Sequence, residues 1–233
     1  MDERDAISWP PDDPPGGLPR LRVARPPRLW RLHWEPDPTQ PVVHNPGRWR
    51  FDAPEGQYAV SYANVSEHYV FAEVYCDTDD IHEIGPDQAA RRVSYVEVDR
   101  DLQVLDLGDA SVLSALEIDL RICTTIDYAR TRGWALNLRR WLPELDAICY
   151  PGRRSGRADN YCLFLDRCGD ALQWTADGTL ADNEELVLIA CELLGLVPRL
   201  IFETLGEAWP TAERPARGQR PARQRPRSPR SPS

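Results

Sequence analysis

The sequence predicts an α+β fold. Three observations carry that expectation. Several short runs alternate apolar and polar residues as strands do, and other stretches space their apolar residues as helices do. The strands come partly in succession and partly separated by helices, so the strict alternation of a βαβ protein is missing. With 233 residues, 42% of them hydrophobic, and eight Trp, the chain is long enough for a sizeable core. There is no internal repeat, no G-x-G-x-x-G and no P-loop, so neither a Rossmann fold nor a P-loop nucleotide site is indicated.

LWRLHW (29–34) places Trp30, Leu32 and Trp34 on one face and Leu29, Arg31 and His33 on the other, which predicts a half-buried strand. GRWRFD (47–52) and the turn at PEG (54–56) lead to a strand over YAVSY (58–62). Ser66 is a good N-cap and Glu67 suits a first helical turn, so 67–76 reads as helix. VSYVEV (93–98) and QVLDL (103–107) read as two more strands. Residues 127–142 have helical spacing and stop at Pro143. AICY (147–150) and YCLFL (161–165) read as strands around the loop PGRRSGRADN. Residues 184–194 read as helix, and RLIFETL (199–205) fits either state.

The ends differ from the middle. Residues 1–27 are rich in Pro, and 210–233 are almost entirely Arg, Pro, Ser, Ala, Gly and Gln. Neither offers enough apolar surface to offset chain entropy, so both are expected to be disordered or draped on a single domain spanning 28–209. All 28 basic residues are Arg, which excludes a lysine nucleophile. Seven of them crowd the tail, so the chain before Glu213 carries a formal charge of −15. Such an acidic body is a poor nucleic-acid binder. The six Cys form no C-x-x-C pair and the four His are scattered, which points to reduced thiols in a cytoplasmic protein without a metal site. No apolar run is long enough to span a bilayer.

Three residues interrupt apolar patterns. Arg31 reads as an exposed strand arginine or as a guanidinium on a cleft wall that clamps a diphosphate. Tyr62 reads as a core aromatic with a wet hydroxyl or as a ring that stacks on a planar ligand. Glu73 lies between Ala72 and Val74, and with Glu67 it forms an imperfect solvent stripe, since six residues is not a helical repeat. It reads equally as an acid facing a ligand.

These residues occur in an order that resembles the RES-domain family, whose members include toxins of bacterial toxin–antitoxin pairs. Arg31 matches the Arg near the family's first strand, and Arg50-Phe51-Asp52-Ala53-Pro54 matches its R-F-x-x-P turn. Tyr62 and Glu73 match its Tyr and Glu eleven residues apart. The resemblance covers about 28–170. It implies an ADP-ribosyltransferase-like fold, with split sheets around a cleft for NAD and helices packed outside. It also implies cleavage of the nicotinamide–ribose bond by a glycohydrolase, phosphorylase or transferase activity, and an Xre-type antitoxin as partner. Glu73 would then stabilise charge on the ribose, Arg31 and Arg50 would hold the diphosphate, and Tyr62 would contact the nicotinamide, with Arg153 and Ser155 contributing from the late loop. The sequence departs from the family at Gly152, where a Ser is expected. Ser155 lies three residues on. That departure implies an alternative, a catalytically silent domain that binds a nucleotide or a protein partner.

Overall fold

The computed structural model describes residues 7–15, 17–34, 47–75, 83–152 and 160–204. Among these described residues, eight strands form one hydrogen-bonded sheet: β1 (Arg22–Ala24), β2 (Leu29–His33), β3 (Val60–Asn64), β4 (Arg92–Val98), β5 (Leu102–Asp106), β6 (Ala147–Tyr150), β7 (Asn160–Phe164) and β8 (Leu172–Thr179). Their order is β1-β5-β6-β7-β3-β2-β4-β8. Every pairing is antiparallel except β5 with β6. The helices are α1 (Val70–Tyr75), α2 (Ala110–Ala115), α3 (Arg121–Thr124), α4 (Tyr128–Trp141), α5 (Leu165–Cys168), α6 (Glu184–Leu194) and α7 (Arg199–Thr204). The mixed α+β class is therefore present, but the strands are joined in a single sheet.

The sheet is nevertheless constricted in the middle. β2 and β4 share five paired positions, as do β3 and β7, whereas β2 meets β3 only where Trp30 lies opposite Asn64. Beyond that point the two strands part. The core follows the same division. Phe51, Trp134, Leu138, Ile148 and Phe164 pack between the larger half of the sheet and the helices α2 to α4. Leu32, Phe71, Val93, Val187 and Leu200 pack β2 and β4 against α1, α6 and α7. Leu29, Val96, Ala63, Cys149 and Leu163 form a third cluster with members from both halves.

Most elements lie where the sequence puts them, with informative exceptions. β2 is covered on both faces rather than half-buried, since Leu29, Leu32 and His33 are all buried. β3 starts two residues later than expected. Helix α1 begins at Val70 rather than residue 67, although Ser66 caps the turn before it by accepting the Tyr69 N–H at 3.2 Å. Residues 199–204 resolve as helix, and β1, β8, α2, α3 and α5 are additional elements.

The expectation that residues 1–27 lie outside the domain does not hold for the part described. β1 pairs with β5, and Ile7 is buried in the core. A Pro-rich stretch has few N–H groups but keeps its carbonyls. Here side chains of α4 and its neighbourhood supply the donors. Trp134 donates to Ser8 O at 2.8 Å, Asn137 to Pro11 O at 2.7 Å and Trp141 to Asp12 O at 3.1 Å. Pro10 lies against Gly133, where an added Cβ would meet the proline ring at 3.4 Å. The tail 210–233 lies outside the described residues.

Just before β6, Asp146 ties three strands together. Arg100 grips its carboxylate with two nitrogens at 2.8 and 2.9 Å, and the Gln103 N–H adds a bond of 2.9 Å. The Asp146 backbone donates to Gln103 O and accepts from Phe164 N. Burial pushes the carboxyl pKa up, but the Arg100 and Gln103 bonds outweigh it and hold it below the ordinary carboxylate range. Its stabilising effect is thus fully present above the unfolded value near ~4 and is lost as pH falls through the folded value. Urea titrations should show Asp146→Asn less stable than wild type by about 1–3 kcal/mol at pH 7. That difference should shrink as the pH is lowered below about 4.

Candidate functional site

Where β2 and β3 part, the structure opens a cleft of about 490 Å³, within the usual range for small-molecule sites. Arg31, His33 and Trp34 line it from β2 and its end, and Tyr62 and Asn64 from β3. Arg48, Trp49 and Arg50 come from the turn before β3, Glu73 from α1, and Tyr150 and Asn160 from β6 and β7. Four of the sequence-predicted residues, Arg31, Arg50, Tyr62 and Glu73, therefore share one cavity. Arg153 and Ser155 lie outside the described residues. Gly152 is buried and is the last described residue before them.

Each side chain arrives there for a local reason. Arg31 reaches across the gap between the strands and donates from one nitrogen to Tyr62 O at 3.0 Å and Ser61 Oγ at 3.3 Å. It thus replaces backbone pairing that the diverging strands do not make. Glu73 sits on the exposed side of α1, while its neighbours Val70, Phe71, Ala72 and Tyr75 are buried. A helix whose other positions pack against β2 has one face left for the cavity. The apolar neighbours of Glu73 are the anchor, and the carboxylate is what they present.

The Tyr62 hydroxyl is not free to meet a ligand. It accepts the Phe51 N–H and donates to Asp52 Oδ1, each at 2.9 Å. Burial raises its pKa well above the ordinary phenol value, with Cys162 and Asp52 adding to the shift. The Asp52 carboxylate also accepts the N–H groups of Arg48 and Trp49, at 3.0 and 2.6 Å. This network closes the turn 47–52 and delivers three cleft residues. Gly47 begins the turn at φ 73°, and an added Cβ would lie 3.1 Å from Pro54 O, so glycine suits both its conformation and its packing. Arg50 is buried, with one nitrogen 2.7 Å from Thr125 O and 3.2 Å from Ile122 O and its guanidinium 5.2 Å from the Tyr128 ring centre. It holds the far wall of the cleft as well as lining it.

The electrostatics are inverted relative to the chain. Although the protein is acidic, the cleft brings together Arg31, Arg48, Arg50 and Arg91 around the carboxylate of Glu73. At its rim Trp34 and Trp49 are 50% and 43% exposed, with the guanidinium groups of Arg91 and Arg48 at 4.6 and 4.8 Å from their respective ring centres. Such stacking suits planar, anionic ligands. Tyr150 has its phenol pKa raised well above the ordinary value by burial first and by the Glu73 charge next. Asn64, Tyr150 and Asn160 were not among the candidate site residues expected from the sequence, and Asp52 entered only as a position inside the R-F-x-x-P turn. The signal of Asn64, Tyr150 and Asn160 is positional, at the ends of strands that stop at the cleft. Among the described residues there is no group of three or more His, Cys, Asp or Glu able to hold a metal, and no helix long and apolar enough to cross a membrane.

No protein-family model and no curated protein matches the sequence. Among solved structures, a chain in the crystal structure of the M. tuberculosis MbcT–MbcA toxin–antitoxin complex is similar, with a TM-score of 0.52 and 15% identity. The match covers 71% of this chain and 91% of that one. At that identity the likeness is one of fold.

Replacing Tyr62 by Phe keeps the ring but strands the Phe51 N–H and one oxygen of Asp52. Chemical denaturation should show Tyr62→Phe less stable by about 1–3 kcal/mol.

Proposed function

We propose that the protein binds NAD in this cleft and cleaves its nicotinamide–ribose bond. The observation that carries the reading is the convergence of Arg31, Arg50, Tyr62 and Glu73, separated in sequence, on one arginine-rich cavity with a carboxylate in its wall. The family resemblance in the sequence and the fold likeness to a chain of a toxin–antitoxin complex support it.

The chemistry needs little beyond positioning and charge. As the bond from ribose C1′ to the pyridinium nitrogen breaks, its electron pair leaves with nicotinamide, which becomes neutral. Positive charge develops at C1′, in an oxocarbenium-like transition state. Glu73 accepts hydrogen bonds from ribose hydroxyls and stabilises that charge. Arg31 and the uncommitted part of the Arg50 fork face the diphosphate, and the Tyr62 ring packs on the nicotinamide while its hydroxyl stays bound to Asp52. An acceptor nucleophile (water, phosphate or a protein side chain) then bonds to C1′ and releases its proton. The biological setting we propose is that of a toxin restrained by an antitoxin.

Incubation of the purified protein with NAD, with and without phosphate, should release nicotinamide. Glu73→Gln should lower the rate roughly a hundredfold to a thousandfold, the usual loss on removing a transition-state electrostatic contact. No release by the wild type, or an undiminished rate in Glu73→Gln, would sink the proposal. Gly152 favours one second reading, a domain that binds NAD without cleaving it. Calorimetry showing binding without nicotinamide release, together with gain of release in Gly152→Ser, would establish it.

A further inference from the structure

Asn160 opens β7, lines the cleft and is only 3% exposed. A buried primary amide has a carbonyl and an N–H₂ group, and both need partners. Which of the two stays with the protein is decided by a relay through Asn64. The Ser66 backbone N–H can only donate, and it lies 2.7 Å from Asn64 Oδ1. The Asn64 carbonyl is therefore assigned, and its Nδ2 is the group that meets Asn160, at 2.7 Å from Oδ1. An N–H₂ group requires an acceptor, so Asn160 must present its carbonyl to Asn64 and keep its own Nδ2 on the other side. That nitrogen is buried and has no hydrogen-bond partner among the described residues.

The position of this donor narrows what it meets. Asn160 lies opposite Asn64 on β3 and opposite Tyr150 on β6. Tyr150 in turn lies within the electrostatic reach of Glu73. The unpaired donor thus belongs to the same region of the cleft as the carboxylate and the tyrosine rings. A diphosphate is matched by the arginines, and ribose hydroxyls by the acceptor-only Glu73. A neutral donor beside aromatic rings is matched by a neutral carbonyl on a planar ring.

We infer that Asn160 is a specificity-determining residue whose Nδ2 donates to the carboxamide oxygen of the nicotinamide ring. This rests on NAD being the substrate of the cleft. The relay gives the inference a sharp consequence. In Asn160→Asp the donor becomes an acceptor. In Asn64→Asp one oxygen still takes the Ser66 N–H, but the other demands a donor, so Asn160 must turn its carbonyl toward the cleft.

The test compares kcat/KM for NAD and for its 3-acetylpyridine analogue, in the full chain and in both variants, with thermal unfolding as the check on folding. A carboxamide can turn over and offer its own N–H₂ to an acceptor, whereas a methyl ketone has only its carbonyl. The ratio of analogue to NAD should therefore fall roughly tenfold to a hundredfold in Asn160→Asp, the loss of one buried hydrogen bond. It should fall in the same direction in Asn64→Asp, which carries the test if Asn160→Asp does not fold. Folded variants that leave the ratio unchanged, whether both rates persist or both fall equally, overturn the role of Asn160 and leave the NAD reading standing. A wild-type chain that releases neither pyridine base overturns the NAD reading and this inference with it.

Discussion

Asn64 stands where the architecture turns. Its backbone lies opposite Trp30 of β2 on one side and opposite Asn160 of β7 on the other. Its side chain receives the Ser66 N–H that starts the approach to α1 and donates to Asn160. One residue thus couples the joint between the two halves of the sheet to the helix that carries Glu73. Past this joint the strands diverge, and the backbone groups they would have paired need other partners. Arg31 meets part of that need through Tyr62 O and Ser61 Oγ. The cleft is the space left by incomplete pairing, and its first arginine is there partly as a strut.

The same economy explains the charge distribution. An acidic body repels anions at long range, so an anionic ligand requires a local concentration of cations. The turn 47–52, drawn tight by Asp52 and Tyr62, supplies two arginines, and the diverging strand supplies a third. Because guanidinium groups are planar and weakly hydrated, they can stack on the rim tryptophans or bond carbonyls while remaining charged. An all-arginine set of cations suits that arrangement, since a lysine ammonium is a compact, strongly hydrated charge with no planar face to lay on a ring and no rigid fork.

Legibility from sequence followed the range of the interactions. α4 and α6 were apparent because their helical spacing and stop signals are local. β1 and β8 were not, since each is an edge strand whose existence depends on a distant partner, β5 or β4. The Pro-rich start was misjudged for a related reason. Its low apolar content argued against order, yet Ile7 reaches the core and carbonyls from Ser8 to Asp12 meet donors on a helix more than a hundred residues away. Composition registers what a segment can bury, not which donors happen to await its carbonyls.

For the candidate site, the chain's order of residues was enough to single out Arg31, Arg50, Tyr62 and Glu73, because a spacing of eleven between a strand tyrosine and a helix carboxylate survives in one dimension. The strand-to-helix turn at Ser66 was also legible, as a capping residue acts within a few positions. Only the tertiary structure could decide what those side chains do. It commits the Tyr62 hydroxyl to Asp52, divides Arg31 between strut and wall, and turns the exposed face of α1 toward the cavity. It also brings Asn64 and Asn160 together and orients both amides through one backbone N–H. Hydrogen bonds of that kind depend on direction over two or three ångströms between residues far apart in the chain, and sequence spacing carries no record of them.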